Sequence, residues 1–331
     1  PTIFGNLDCH EKVKEAVVKV VTDSKHNGYG PAVGLEEARQ AVCDRYRRKH
    51  DGLNYTKEDI ILTSGCSHAL QMAISGAVSE GEKILLPCPG FSIYHTIVDH
   101  FAIQSIDYPL DPDKSWQIDL EKTEALIKEH RPTAWLINNP SNPCGSVYSR
   151  EHLLDCLELA KKYRVLVIAD EIYEDLVFEG HAFHPMATLS NDYPIITCSG
   201  LAKRFMIPGW RLGWVAIHDP NNQAHALRGA YFNLACLILG PCTLVQAALP
   251  LIFENVPREF DLQVNAILQE NAQAFCDPFK ENPQCGLEVI LPQGSMYLLI
   301  RLPAGYDDIE FCRSLLAAEN VSLLPGTVPL F

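Results

Sequence analysis

No stretch of this 331-residue chain is apolar for long enough to span a bilayer, which takes about 20 residues. The best candidate, residues 234–239 with its flanks, is interrupted by Gly240, Pro241 and Thr243. Basic residues are also scarce: 27 Lys+Arg face 41 Asp+Glu, a formal charge of −14, which disfavours nucleic acid and other polyanions as partners. The 12 cysteines stand singly, with no C-x-x-C pair. That spacing argues against a zinc site or a small disulfide scaffold and for reduced thiols in an intracellular protein. The expectation is a cytoplasmic protein without a membrane segment or a metal. Because the sequence starts at Pro1 rather than Met, a missing N-terminal segment would leave a mitochondrial location open. No internal repeat or low-complexity tract is present.

What is there is the balance of a folded protein, 47% hydrophobic and 21% charged, and at roughly 150 residues per domain the length suggests two domains. Short β-branched runs at Ile60–Thr63, 83–86, 103–107, 133–137, 165–169, 195–198 and 212–217 predict seven strands. Between them, 35–49, 67–78, 120–129 and Arg150–Tyr163 carry helical period. Strand and helix alternating over about 200 residues predict a mainly parallel α/β sheet with helices on both faces. Ligands of such sheets sit at the carboxyl ends of the strands. After residue 217 the pattern changes to helices at 223–237, 242–253 and 259–281, strands at 286–290 and 295–301, and a helix at Asp308–Glu319. Residues 1–265 are therefore expected to form a large domain and 266–331 part of a smaller α+β domain.

Four pieces at predicted strand ends carry chemistry. Lys203, in Ser199-Gly200-Leu201-Ala202-Lys203-Arg204, follows a strand amid apolar neighbours, where desolvation would make its amine nucleophilic. Eight residues on, Arg211 could grip a phosphate with its planar fork, although two surface cations would read the same way. Asp170 ends a buried strand, where a carboxylate needs a cation, a metal or several donors, or else caps the next helix. In Asn138-Asn139-Pro140-Ser141-Asn142-Pro143-Cys144-Gly145, prolines stiffen a loop that could aim Asn142 at a ligand or be an ordinary turn. In Thr63-Ser64-Gly65-Cys66-Ser67-His68, a strand passes through small residues into a helix, which makes either an anion site or a plain helix start. It is no Walker A loop, since the Gly-Lys-Ser/Thr ending is absent.

In order and spacing, Asn139 to Gly145, Asp170 with Tyr173, and Lys203 with Arg211 resemble the fold-type I, class I/II aminotransferases that use pyridoxal 5′-phosphate. Ser64 to Ser67, Pro87-Cys88-Pro89-Gly90-Phe91, residues 138–147 and residues 200–214 are most similar to that family's tyrosine aminotransferase branch. The resemblance covers essentially the whole chain, from Asn27-Gly28-Tyr29-Gly30-Pro31 to Pro292-Gln293-Gly294-Ser295-Met296-Tyr297. It implies a mainly parallel seven-stranded sheet, a role in amino-acid metabolism (tyrosine catabolism), and a homodimer with no nucleic-acid or membrane partner. It also implies that Lys203 bonds the cofactor's aldehyde, Asp170 faces the pyridine nitrogen, Asn142 and Tyr173 reach the ring's 3-oxygen, and Phe91 stacks on the ring. Gly65, Cys66, Ser67 and Arg211 would hold the phosphate, and Tyr29 the phosphate of the partner subunit. Where many relatives place a phosphate-binding serine three residues before the lysine, this chain has Gly200; Ser199 is the expected substitute. The arm before Pro1 and an arginine for the substrate carboxylate beyond Thr327 are expected in relatives, so the chain reads as truncated at both ends. No Lys, Arg or His occurs from Gly229 to Pro257, where aspartate-specific relatives place a side-chain arginine, so an aromatic donor, tyrosine first, is expected to pass its amino group to a 2-oxo acid. Two alternatives are a C–S lyase of the same fold and a truncated form that binds cofactor without turnover.

Overall fold

All seven predicted strands lie in one sheet. In the computed structural model, which describes residues 7–327, they are β1 (Ile60–Thr63), β2 (Lys83–Cys88), β3 (Gln104–Asp111), β5 (Ala134–Asn138), β6 (Leu166–Asp170), β7 (Ile195–Gly200) and β8 (Gly213–His218). The sheet has eight strands rather than seven, because a two-residue β4 (Gln117–Ile118) turns back antiparallel onto the end of β3. A pairing that short leaves no periodicity to read. The order is β1-β8-β7-β6-β5-β2-β3-β4, with β3, β2, β5, β6 and β7 mutually parallel and β8 antiparallel to both β7 and β1.

Both faces of the sheet are covered at its centre, so β5, β6 and β7 are buried at odd and even positions alike. Ile84, Leu86, Leu136, Ile168, Ile196 and Cys198 belong to one buried cluster with Ala69, Leu70 and Ala73 of α3 (Cys66–Ala77). Their neighbours Leu85, Trp135, Ile137, Val167 and Ala169 belong to a second cluster with α6 (Arg150–Tyr163). On α6 the buried residues Leu153, Cys156, Leu157 and Ala160 fall at i, i+3, i+4 and i+7, the stripe that a 3.6-residue period puts on one face. Its start is set by Ser149, whose hydroxyl accepts the His152 N–H at 3.2 Å.

The remaining helices are α1 (Glu11–Asp23), α2 (Glu36–Lys49), α4 (Ile93–His100), α5 (Leu120–His130), α7 (His225–Ile238), α8 (Thr243–Asn255), α9 (Arg258–Glu281) and α10 (Asp308–Glu319). The expected strands of the C-terminal part shrink to β9 (Glu288–Val289) and β10 (Ile300–Arg301), an antiparallel pair. The segment between them is engaged elsewhere: Gln293 N–H donates to the Gly145 carbonyl at 2.8 Å and Ser295 N–H to the Leu176 carbonyl at 2.8 Å. Its backbone is thus committed to the large sheet's loops instead of a longer ladder. Residue 265, the expected domain boundary, falls inside α9. Among the described residues, no helix is long and apolar enough to cross a membrane.

Candidate active site

Three parallel strands, β5, β6 and β7, end side by side, with Asn138 in register with Asp170 and Asp170 with Cys198. Register partners point to the same face, so the Asp170 carboxyl projects toward α3 and α4. It is 2% exposed. Tyr94 Oη of α4 donates to its Oδ2 at 2.7 Å, Ile172 N–H to Oδ1 at 3.3 Å, and the Cys66 thiol to Oδ1 at 3.7 Å. Burial pushes the carboxyl above the usual carboxylate range, while these three bonds and the charge of Lys203 pull against it. A buried carboxyl with neutral hydrogen-bond partners, in the electrostatic field of a lysine, is suited to receiving a cation.

Lys203 lies in the turn that follows β7, and its Nζ sits 5.4 Å from the centroid of the Tyr173 ring. Tyr173 is 2% exposed, and its ring meets that of Tyr297 edge-on at 6.0 Å. Burial, followed by the neighbouring Tyr297 phenol, pushes the Tyr173 hydroxyl well above its ordinary pKa, so it remains protonated at neutral pH. The structure therefore brings together Asp170, Tyr173, Lys203 and Cys66, which the sequence spreads over 138 positions (66 to 203).

Beside them, Cys66 and Ser67 open α3, whose first N–H groups have no intrahelical acceptor. Gly65 precedes them at φ +80, and a Cβ there would stand 2.6 Å from Arg211 Nη2. Gly213 allows the same close approach from the other side: its Cβ would lie 2.7 Å from the Cys66 nitrogen. Arg211 donates from Nη1 to the Pro208 carbonyl at 3.0 Å and from Nη2 to the Ser64 carbonyl at 3.2 Å, which pins its guanidinium over the helix start. A guanidinium and a helix N-terminus meeting at one point make a cup for a dianion.

The Asn142 loop is tied to β6 through its backbone. Asn142 N–H donates to Asn138 Oδ1 at 2.7 Å, and Asn138 Nδ2 and Asn139 N–H each donate to the Asp170 carbonyl at 3.1 Å. Phe91 is half-buried and meets Tyr94 edge-on at 5.9 Å.

Two expected residues stand apart. Ser199 is in register with Trp214 and lies one position from Cys198, so pleating turns it to the face opposite Asp170. Its hydroxyl is buried without a partner there, and the structure does not deliver it to the phosphate cup. Tyr29 is 93% exposed, on a loop held by the Thr243 hydroxyl donating to the His26 carbonyl at 2.6 Å, and joins no site residue of its own chain. Conversely, Tyr94 escapes a reading of the sequence because the helix that carries it is only eight residues long, about two turns, too short a window for helical period to stand out. The one available signal was its position three residues after Phe91, a single helical turn.

The profile described as aminotransferase class I and II matches residues 3–331 of the chain. The mouse tyrosine aminotransferase is 41% identical over 99% of this chain and 72% of its own length. An S-alkyl-thiohydroximate lyase of Arabidopsis thaliana is 36% identical over 98% of this chain and 71% of its own length. The crystal structure of tyrosine aminotransferase from Leishmania infantum superposes with a TM-score of 0.94 at 33% identity, covering 100% of this chain and 83% of that one. The agreement spans the strand ends, the anion cup and the lysine turn together, and this chain belongs to the class I and II aminotransferases.

Proposed function

We propose that the chain transfers the amino group of an aromatic L-amino acid, tyrosine foremost, to a 2-oxo acid by a ping-pong mechanism with pyridoxal 5′-phosphate. The observation that carries this reading is the buried Asp170 carboxyl, surrounded by neutral donors and facing the Lys203 turn beside an anion cup. The residues fit that cofactor: an amine for its aldehyde, a dianion cup for its phosphate, and a buried acid for a protonated ring nitrogen.

When bound, the cofactor supplies an aldehyde that captures amino groups and a ring that withdraws electrons from Cα. Arg211 and the Cys66 and Ser67 amides would bind the phosphate and fix the ring's position. Asp170, held by Tyr94 and Cys66, would keep the ring nitrogen protonated, because a charged carboxylate in an apolar site stabilises a facing cation. The Tyr173 hydroxyl and the Asn142 side chain would orient the ring's oxygen, and Phe91 would cover the ring. Lys203 Nζ, freed when substrate arrives, would take the proton from Cα and later return one, a transfer that needs the amine within hydrogen-bond reach.

The apolar surface supports a homodimer in which Tyr29 reaches the second subunit. Tyr29, Phe232, Leu237, Ile238 and Leu239 are all exposed, and Gly240 packs against the Ala32 carbonyl of the Tyr29 loop. Twelve unpaired thiols support a reducing compartment, the cytoplasm, and the two separate sheets support a division of the chain near residue 265. The resemblance to the Arabidopsis lyase keeps C–S cleavage as a second reading. Incubation with tyrosine and 2-oxoglutarate should yield the aromatic oxo acid and glutamate. Acceptor-independent release of pyruvate and ammonia from a cysteine conjugate, with no transfer from tyrosine, would replace this proposal with the lyase.

A further inference from the structure

The residue after Lys203 is anchored far from the chemistry. Arg204 Nε donates to Asp261 Oδ1 at 3.0 Å and Nη2 to Asp261 Oδ2 at 2.9 Å, a bidentate pair to α9 with both side chains 17% exposed. Arg204 Nε also lies 3.9 Å from Asp175 Oδ1. Asp175 is bound by Arg45 Nη2 and by Lys49 Nζ at 2.6 Å, and its neighbour Glu174 by Arg45 Nη2 at 2.6 Å. Burial opposes the charge on Asp175, yet Arg45, Lys49 and Arg204 together hold it well below the usual carboxylate range. One covered ion cluster therefore grips the residue following Lys203 and the two residues following Tyr173.

Helix α9 holds that cluster along a single face. Asp261, Asn265 and Gln269 are spaced by four residues, which stacks them on one stripe. Asn265 Nδ2 donates to the Asp175 carbonyl at 2.8 Å, and Gln269 Oε1 accepts the Glu179 N–H at 2.9 Å. The lysine turn has its own backbone bonds, Leu201 N–H to the Leu212 carbonyl at 3.0 Å, Phe205 N–H to the Leu201 carbonyl at 3.1 Å and Ile207 N–H to the Ala202 carbonyl at 3.1 Å, and the Arg204–Asp261 pair ties that turn to α9.

We infer that Arg204 is a positioning residue for the reaction: clamped on Asp261, it fixes the lysine turn relative to the Tyr173 loop through the polar stripe of α9. This rests on the assignment of Lys203 proposed above. A bidentate, mostly covered Arg–carboxylate pair has the directionality for such a role, which a solvated lysine contact lacks. Small displacements of a reacting amine cost rate without costing substrate affinity.

The test compares Arg204→Met, Arg204→Lys and Asp261→Asn with the unchanged protein. Amide hydrogen exchange over residues 200–206 is read in the cofactor-free protein, and kcat and KM with tyrosine and 2-oxoglutarate in the loaded one. Arg204→Met and Asp261→Asn should each speed exchange in that segment about tenfold and lower kcat about tenfold with KM nearly unchanged. Arg204→Lys should recover part of both effects. Unaltered exchange over 200–206 in Asp261→Asn, which leaves the turn's own sequence intact, overturns the inference, as does full kcat in Arg204→Met. Absence of transfer by the unchanged protein would refute the proposed function, and the exchange comparison would still decide the role of Arg204.

Discussion

Glu171, next to Asp170, is 2% exposed and points to the sheet's other face, where its Oε1 accepts the Met186 N–H at 2.8 Å and its Oε2 is buried without a partner. Burial, reinforced by the nearby charges of Glu174 and Asp170 and opposed by the Met186 bond and Lys49, pushes its pKa from 4.5 to about 8. An acid whose folded pKa is raised binds its proton more tightly in the folded state. Stability is therefore lost as pH rises from the unfolded pKa to the folded one, and levels off above it. At about 1.4 kcal/mol per pH unit, the span from 4.5 to about 8 limits the loss to about 5 kcal/mol, of which about 3 kcal/mol falls between pH 6 and pH 9. Glu171→Gln removes the titration, keeps an acceptor for Met186 and is close in size. Urea unfolding of the cofactor-free protein and the variant across pH 6 to 9 should show the variant gaining on the parent by about 3 kcal/mol, with the midpoint difference widening up to about pH 8 and flattening above it. Parallel pH profiles would refute the reasoning, since they would mean that Glu171 carries the same charge in the folded and unfolded chain throughout.

Borohydride reduction of the cofactor-loaded protein followed by peptide mapping should place the label on Lys203; recovery on another lysine would move the assignment. Asp170→Asn should fold and bind cofactor but lose about a hundredfold or more in kcat, at tenfold per 1.4 kcal/mol of barrier, because a neutral amide cannot hold a facing cation. Near-parental turnover would remove Asp170 from the mechanism. Gly65→Ala, with its Cβ set 2.6 Å from Arg211 Nη2 at a positive φ, should weaken cofactor affinity about tenfold or more by displacing the guanidinium from the cup, as equilibrium dialysis would measure.

Much of the site was legible because it lies at strand ends, and strand ends show in a sequence as apolar runs stopping at a polar residue. Asp170 closes Leu166–Asp170 and Lys203 follows Ile195–Gly200 by three residues, so local pattern was enough to nominate both. The class of sheet was legible for the same reason: runs apolar at every position require cover on both faces. Other features depend on contacts between residues remote in sequence, which no local pattern records. The strand order puts β6 between β5 and β7, and that adjacency sets Asn138, Asp170 and Cys198 in one row. Tyr94 reaches Asp170 across 76 positions and Arg204 reaches Asp261 across 57. Ser199 shows how little separates the two kinds of knowledge: its neighbourhood was evident, but which face it occupies turns on a single step of the pleat, and the register with Trp214 alone decided it. Local chemistry is written along the chain, whereas the distance between two charged groups is a property of packing, because burial selects one arrangement out of many that satisfy the same apolar pattern.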